Sequence, residues 1–173
     1  MLTLKVLGET PLYLETSSEV REYLDTVFAE GCRLGKSHID LTFQVIWDVV
    51  ADKIARSAPD NLLSIGIDFS SGYGGLLWYC DGMLSHRVSA EVGHDVANHA
   101  WVSLNPTPPH SDPKVLSDPW CPTFFDRISV VPLSSIRPVV EEYFREGIGF
   151  RPAQVQWTKG HYTGELYVEE DEA

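Results

Sequence analysis

The sequence is poor in basic residues. It has 13 lysines and arginines against 25 aspartates and glutamates, which gives a formal net charge of -12 over 173 residues. Nucleic acids and anionic membranes are bound through lysine and arginine side chains, so this deficit argues against both as partners. A basic protein partner is compatible with it, because opposite fields accelerate association. The alternative is that the acidic surface only keeps the protein soluble.

Long hydrophobic runs and paired cysteines are also missing. No apolar stretch approaches the roughly 18–20 residues that a membrane-spanning helix needs, and the N-terminus lacks the apolar core and cleavage site of a signal peptide. The three cysteines, Cys32, Cys80 and Cys121, are widely spaced and form no CxxC pair, so no disulfide framework is expected. We therefore expect a cytoplasmic protein that binds neither a metal nor another cofactor.

The most regular part of the chain is the segment 127–157. Its apolar residues follow the three-and-four spacing of a helix that buries one face: Ile136, Val139, Val140, Tyr143 and Phe144. Ser135 is a plausible N-terminal cap, and Gly147 suits the left-handed position just after a helix. The segment is predicted to contain a strand at 128–131, a helix at 135–146 and a strand at 153–158.

A second helix is predicted at 17–30. Thr16 and Glu19 match a capping box, in which a hydroxyl accepts from the first turn and a carboxylate accepts from the cap residue. Apolar residues continue at helical spacing as far as Phe28. Gly31 is expected to end the helix.

Residues 39–47 alternate strictly between apolar and polar side chains, which predicts a strand. A helix over 41–54 is the competing interpretation, because apolar residues continue beyond the alternation. Residues 48–60 are predicted as a short helix or a turn. Alternation returns at 63–69, and residues 62–90 are predicted to form a three-stranded meander.

Two glycine-containing strings lie within this predicted meander. Gly74 and Gly75 lie within its second strand, where glycines mark a bulge or a close backbone approach. Asp81-Gly82 is a two-residue hairpin signal before a third strand at 83–90. Residues 91–125 contain six of the eleven prolines and are predicted to form a long irregular loop.

We therefore predict an α+β protein in which residues 1–173 form a single domain. An antiparallel or mixed sheet is expected to pack against at least two helices. The acidic tail, about 168–173, is expected to fray.

Candidates for catalysis are weak. His94 and His99 are five residues apart, which fits neither the HxxxH nor the HxH spacing of zinc sites. Cys80 lies in a predicted strand, and the glycine-rich string 72–75 lies between strands rather than before a helix. We expect a protein that is not an enzyme. The alternative is a small hydrolase or ligand-binding enzyme that uses His94, His99 and Cys80.

Several strings resemble those of one protein family. They are Gly72–Tyr79 followed by Asp81-Gly82, a preceding Pro59-Asp60, Val131-Pro132, the helix that ends at Gly147, and Arg-Pro-Ala-Gln-Val-Gln-Trp at 151–157. Over roughly residues 58–158 the chain resembles the immunity proteins numbered family one in bacterial polymorphic toxin systems. The resemblance implies an α+β protein without catalytic activity. Such proteins are encoded beside a toxin, often of the deaminase kind, and neutralise it by binding.

A binding hypothesis follows from the resemblance and the charge together. The partner is expected to be a basic toxin that acts on nucleic acid. Trp101 and Trp120 are expected to contact it, because tryptophan is enriched at interface hot spots. Four acidic residues are expected to contribute further contacts: Asp112, Asp118, Glu141 and Glu142. The oligomeric state stays open, and an aromatic-mediated homodimer is a third interpretation of the tryptophans.

Overall fold

The computed structural model describes residues 2–48 and 60–167. Within these residues the strands are β1 (Thr3–Leu7), β2 (Leu12–Leu14), β3 (Ile39–Ile46), β4 (Asn61–Asp68), β5 (Tyr73–Cys80), β6 (Ala100–Leu104), β7 (Leu116–Asp118), β8 (Thr123–Phe124), β9 (Val130–Pro132) and β10 (Gln156–Gly160). The α-helices are α1 (Ser17–Leu34), α2 (Gly82–Glu91), α3 (His94–Ala97) and α4 (Ile136–Glu146), and a 3-10 turn (Leu133–Ser135) precedes α4.

One antiparallel sheet organises the molecule. Its strand order is β10-β6-β5-β4-β3-β1-β2, and β9 lies beside β5 on the same side as β6. Strands β7 and β8 form a separate two-stranded hairpin. The predicted α+β class and antiparallel sheet are confirmed. The strand at 39–47 is confirmed as β3, in place of the competing helix. The predicted helix or turn at 48–60 lies outside the described residues except for its two end residues, and the tail at 168–173 lies wholly outside them.

Alternation along the strands gives the sheet two different faces. Leu63 and Ile65 of β4 point to the helix face, where they join the main hydrophobic core with residues of α1, α2 and α4. Leu62 and Ser64 point the other way, to what we call the groove face. A smaller apolar cluster lies on the groove face and includes Leu77, with Val102, Val115, Phe125 and Val130 among its members.

Helix α1 begins as its sequence predicts. The Glu19 N–H donates to Thr16 Oγ1 at 3.2 Å, and the Thr16 N–H donates to Glu19 Oε2 at 3.0 Å, which confirms the capping box. The prediction that Gly31 ends the helix is wrong. Gly31 is buried, and an added Cβ would lie 2.2 Å from the Phe69 ring. The helix continues to Leu34 and ends at Gly35, whose φ of 55° is left-handed.

Helix α4 is preceded by the 3-10 turn, and the Ser135 side chain makes no capping hydrogen bond. Gly147 has a φ of 60° and closes the helix as predicted. The strand predicted at 153–158 lies slightly later, at β10, and the one predicted at 128–131 lies at β9.

The predicted third strand of the 62–90 meander is wrong, because residues 82–91 form α2. Asp81 caps this helix by accepting the Gly82 N–H at 2.6 Å. Leu84 and Val88 are four residues apart, and both are buried on the helix face. Their helical spacing outweighs the local hairpin signal of Asp81-Gly82.

The prediction of one continuous loop over 91–125 is also wrong. This segment contains α3, β6 and the β7–β8 hairpin, and β6 lies inside the sheet between β5 and β10. The prolines fall after β6 or in the hairpin turn, so they leave the ladder of β6 intact. The longest irregular stretch of the segment lies between β6 and β7.

Candidate functional site

A groove of about 470 Å³ opens on the groove face of the sheet. Its floor consists of outward-facing residues of β3, β4 and β5: Asp40, Thr42, Leu62, Ser64, Leu77 and Tyr79. Its walls come from the end of β5, the β7–β8 hairpin and the turn after β10: Asp81, Ser117, Asp118, Pro119, Trp120 and Tyr162. The groove thus combines three carboxylates with three aromatic rings.

A pair of glycines allows the hairpin to lie on the sheet. Gly66 and Gly75 are cross-strand partners in β4 and β5. A Cβ on Gly66 would lie 2.1 Å from the Leu116 carbonyl oxygen, and one on Gly75 would lie 2.3 Å from the Phe125 ring. The sequence left a bulge or a close backbone approach open for Gly74 and Gly75. The continuous register from Tyr73 to Cys80 shows no bulge, and at Gly75 the group that approaches closely is the Phe125 side chain.

Hydrogen bonds tie the two walls of the groove together. The Ser117 hydroxyl donates to the Thr163 carbonyl at 2.6 Å, and the Thr123 hydroxyl donates to the same oxygen at 3.0 Å. Tyr162 precedes this carbonyl, and its ring packs edge-on against Tyr79, with 5.0 Å between ring centroids. The hairpin, the turn and the sheet floor therefore form one connected site.

Asp118 orients the tip of the hairpin. Its Oδ1 accepts the N–H groups of Trp120 at 2.8 Å and Cys121 at 3.3 Å. The Trp120 side chain is 94% exposed. An exposed tryptophan on an ordered turn is unusual for an isolated protein surface and typical of a contact residue.

The carboxylates of the groove are not neutralised by lysine or arginine side chains of the described residues. Partial burial raises the pKa of Asp40, His38 opposes the rise, and the negative charge of Asp118 adds to it. In residues 2–48 and 60–167, no lysine or arginine forms an ion pair with Asp40, Asp81 or Asp118. The groove is consequently a site of negative potential.

The structure separates the two tryptophans that the sequence places in one loop. Trp120 lines the groove, whereas Trp101 pairs with the buried Trp78 across β5 and β6 on the helix face. The Trp101 indole N–H donates to the Val96 carbonyl at 3.0 Å, and the Arg151 guanidinium lies 4.1 Å from its ring centroid. Trp101 therefore has a packing role.

The four predicted acidic residues also separate. Asp118 lies in the groove, whereas Asp112 forms an ion pair of 2.8 Å with Lys114. Glu141 lies on α4, where Arg137 is 3.7 Å away. Glu142, by contrast, is 9% exposed and accepts the N–H groups of Ala153 at 2.9 Å and Gln154 at 3.0 Å, so it positions the segment before β10.

Four charged or aromatic residues of the groove are absent from the predicted contact residues: Asp40, Tyr79, Asp81 and Tyr162. The polar positions of β3 carried a signal, because Asp40 and Thr42 alternate with buried residues and so mark a polar sheet face. No local pattern indicates that Trp120 and Tyr162 meet over this face.

The hydrolase alternative finds no support in the contacts of its residues. Burial raises the pKa of Cys80 to about 11, and its thiol lies 3.8 Å from the Ala97 carbonyl. His94 bonds to Ser89 and Asn98, and His99 bonds to the Asp95 carbonyl. Across the described part of the chain, no three histidine, cysteine or carboxylate groups are arranged to hold a metal ion.

The profile of Immunity protein Imm1 matches residues 8–159. The chain belongs to this family of immunity proteins. It is accordingly an immunity protein against a toxin, and the family indicates a binding role rather than a catalytic one. The match includes every groove residue except Tyr162.

No curated protein and no solved structure matches the immunity protein significantly. Among its described helices, none has the length and apolar character to cross a membrane.

Proposed function

We propose that this immunity protein neutralises its toxin by binding a basic surface of the toxin on the groove face. The observation that carries the proposal is the groove itself. Three carboxylates and an exposed tryptophan line it, and no lysine or arginine of the described residues forms an ion pair with these carboxylates. A basic partner would neutralise the carboxylates and cover the tryptophan in one contact.

The toxin that we propose acts on nucleic acid, as deaminases do. Enzymes of this kind need lysine and arginine side chains to bind a polyanionic substrate. The net charge of -12 complements such a surface and would accelerate association. An immunity protein bound there would occupy the phosphate-binding side chains, so inhibition would follow from competition with substrate.

A growth assay and a titration test the binding proposal. We expect that co-expression with the toxin encoded beside it restores growth of intoxicated cells. We also expect the association rate to fall by at least about ten-fold between about 50 and 500 mM salt, because screening weakens steering. The dissociation rate should change much less. Absence of binding at micromolar concentrations would contradict the proposal.

Sequencing of nucleic acid from intoxicated cells tests the proposed toxin class. A deaminase converts cytosine or adenine by attack of water at a ring carbon, which appears as base transitions in the recovered sequence. We expect transitions in cells that express the toxin alone and none in cells that also express the immunity protein. Unaltered nucleic acid in dying cells would rule out this class of toxin.

We place the complex in the cytoplasm. Cys32 and Cys121 are exposed free thiols, which are compatible with a reducing compartment. Fractionation of cells that express the native gene should recover the protein with cytosolic enzymes. Recovery from the periplasm or the membrane would contradict this placement.

A further inference from the structure

We infer that the groove receives the guanidinium group of an arginine side chain that the toxin presents. The inference rests on the proposed function and deepens it, because it names the chemical group that the groove binds. It follows from the composition of the groove and from a second cluster in the same chain.

The second cluster contains an arginine of the protein itself. The Arg137 guanidinium lies over the Phe28 ring, 5.8 Å from its centroid, and forms ion pairs with Asp25 and Glu141. One ring and two carboxylates therefore hold a guanidinium between α1 and α4. We call this group the Arg137 cluster.

The groove contains the same kinds of group that surround Arg137, carboxylates and aromatic rings, but not the guanidinium. It offers carboxylates from Asp40 and Asp118 and aromatic rings from Tyr79, Trp120 and Tyr162. Asp40 and Asp118 are near enough for the charge of Asp118 to disfavour ionisation of Asp40. A cation between them would relieve this repulsion.

The groove chemistry favours arginine over lysine. A guanidinium is planar, so it stacks on aromatic faces and donates in parallel to carboxylate oxygens. An ammonium group is more strongly hydrated and makes neither contact in that geometry. The groove is also open to solvent and accepts a side chain that projects from a larger surface.

An NMR titration of the intact immunity protein tests the inference directly. The probes are N-acetyl-arginine N-methylamide, its lysine counterpart and its citrulline counterpart, which has the shape of arginine without the charge. We expect the Trp120 indole signal to shift with the arginine probe. We expect the citrulline probe to bind at least about ten-fold more weakly and lysine to fall between them. Equal shifts with arginine and citrulline would overturn the inference.

Two variants show whether the groove is responsible. Asp40→Asn removes one carboxylate charge and is expected to weaken arginine binding by about five- to ten-fold. Glu30→Gln is the matched control, because it changes net charge equally at an exposed position of α1. The control should bind the probe as the unmodified protein does. An equal loss in both variants would show a bulk charge effect and overturn the inference.

Titration with the toxin separates the inference from the proposed function. We expect Asp40→Asn to weaken toxin binding by about ten-fold or more, and Glu30→Gln to leave it within about two-fold. Equal toxin affinity of both variants and the unmodified protein would overturn the groove inference while the proposed function stands. If the unmodified protein does not bind the toxin, the proposed function fails, and the arginine probe alone decides what the groove accepts.

Discussion

The groove and the Arg137 cluster use similar residues for different ends. In the Arg137 cluster, the chain supplies the cation, and the ion pairs join α1 to α4. In the groove, the carboxylates and rings face solvent, and no lysine or arginine of the described chain pairs with them. The same side chains therefore stabilise the fold where the cation is internal and suit a partner where it is not.

The largest difference between the two regions should appear with Trp120→Ala. We expect this change to weaken toxin binding by about 2–4 kcal/mol, as truncation of a hot-spot residue does. Its effect on folding should stay within about 0.5 kcal/mol, because the side chain is 94% exposed. Calorimetric titration and urea denaturation measure the two quantities.

Leu34→Ala is the control for Trp120→Ala, because Leu34 is an exposed apolar residue at the end of α1. It should leave toxin affinity unchanged. Equal losses from the two variants would show that the groove is not the contact region.

A methyl group added between the sheet and the residues that pack on it near the hairpin should distort the groove. Gly75→Ala would place a Cβ 2.3 Å from the Phe125 ring and push the hairpin away from the sheet. We expect a loss of about 1–3 kcal/mol in the free energy of unfolding, together with weaker toxin binding. Urea denaturation checks the first effect.

Gly8→Ala serves as its control, since the nearest atom to the added Cβ would lie 3.8 Å away. This variant should unfold at the same urea concentration as the unmodified protein. Unchanged stability of Gly75→Ala would contradict the close approach of Phe125.

Removal of the Arg137 cation should lower stability and leave toxin affinity unchanged, the reverse of the effect expected for Trp120→Ala. Arg137→Met retains side-chain length but loses the ion pairs and the contact with Phe28. We expect the free energy of unfolding to fall by about 0.5–1.5 kcal/mol, because the pairs are partly exposed. Toxin affinity should not change. A large loss of toxin affinity would place the contact region on the helix side instead.

The smallest effect concerns Asp40 and pH. Partial desolvation raises the pKa of Asp40 in the folded protein above its ordinary value of 3.8, so the folded state binds this proton more tightly than the unfolded state. The contribution of Asp40 to stability therefore declines as pH rises from 3.8 through the folded pKa. Asp40→Asn cannot ionise and should be at least as stable as the unmodified protein near pH 7.

Thermal denaturation at several pH values measures this advantage. It should shrink as the pH falls through the folded pKa and then below 3.8, because both states of the unmodified protein increasingly bind the proton there. An advantage that grows with acidification would contradict the raised pKa.

Local sequence patterns predict the elements of the fold better than their contacts. Alternation in β3 and β4 predicts strands with two distinct faces, and Thr16 and Glu19 predict the start of α1. The failures occur where two local signals compete. Asp81-Gly82 predicts a hairpin, but the segment forms a helix, in which Leu84 and Val88 lie on one face and are both buried.

The groove was only partly predictable, because it depends on contacts between distant segments. Trp120 and Asp118, which line the groove, had been predicted as contact residues from residue type and from their place in a predicted loop. They lie near Asp40 because Gly66 and Gly75 have no side chains, which lets Leu116 and Phe125 of the hairpin region pack directly on the sheet. The glycines alone do not indicate which segment packs over them. The position of Trp101 was not predicted, because the prolines that follow it suggested a loop where β6 lies inside the sheet.

Hydrogen exchange of the immunity protein with and without its toxin tests the central claim most directly. The account predicts that binding protects the backbone amides of the β7–β8 hairpin and of the turn at Tyr162. It also predicts that amides of α4 next to Arg137 exchange at unchanged rates. Protection confined to α1 and α4, with the hairpin exchanging as in the free protein, would contradict it.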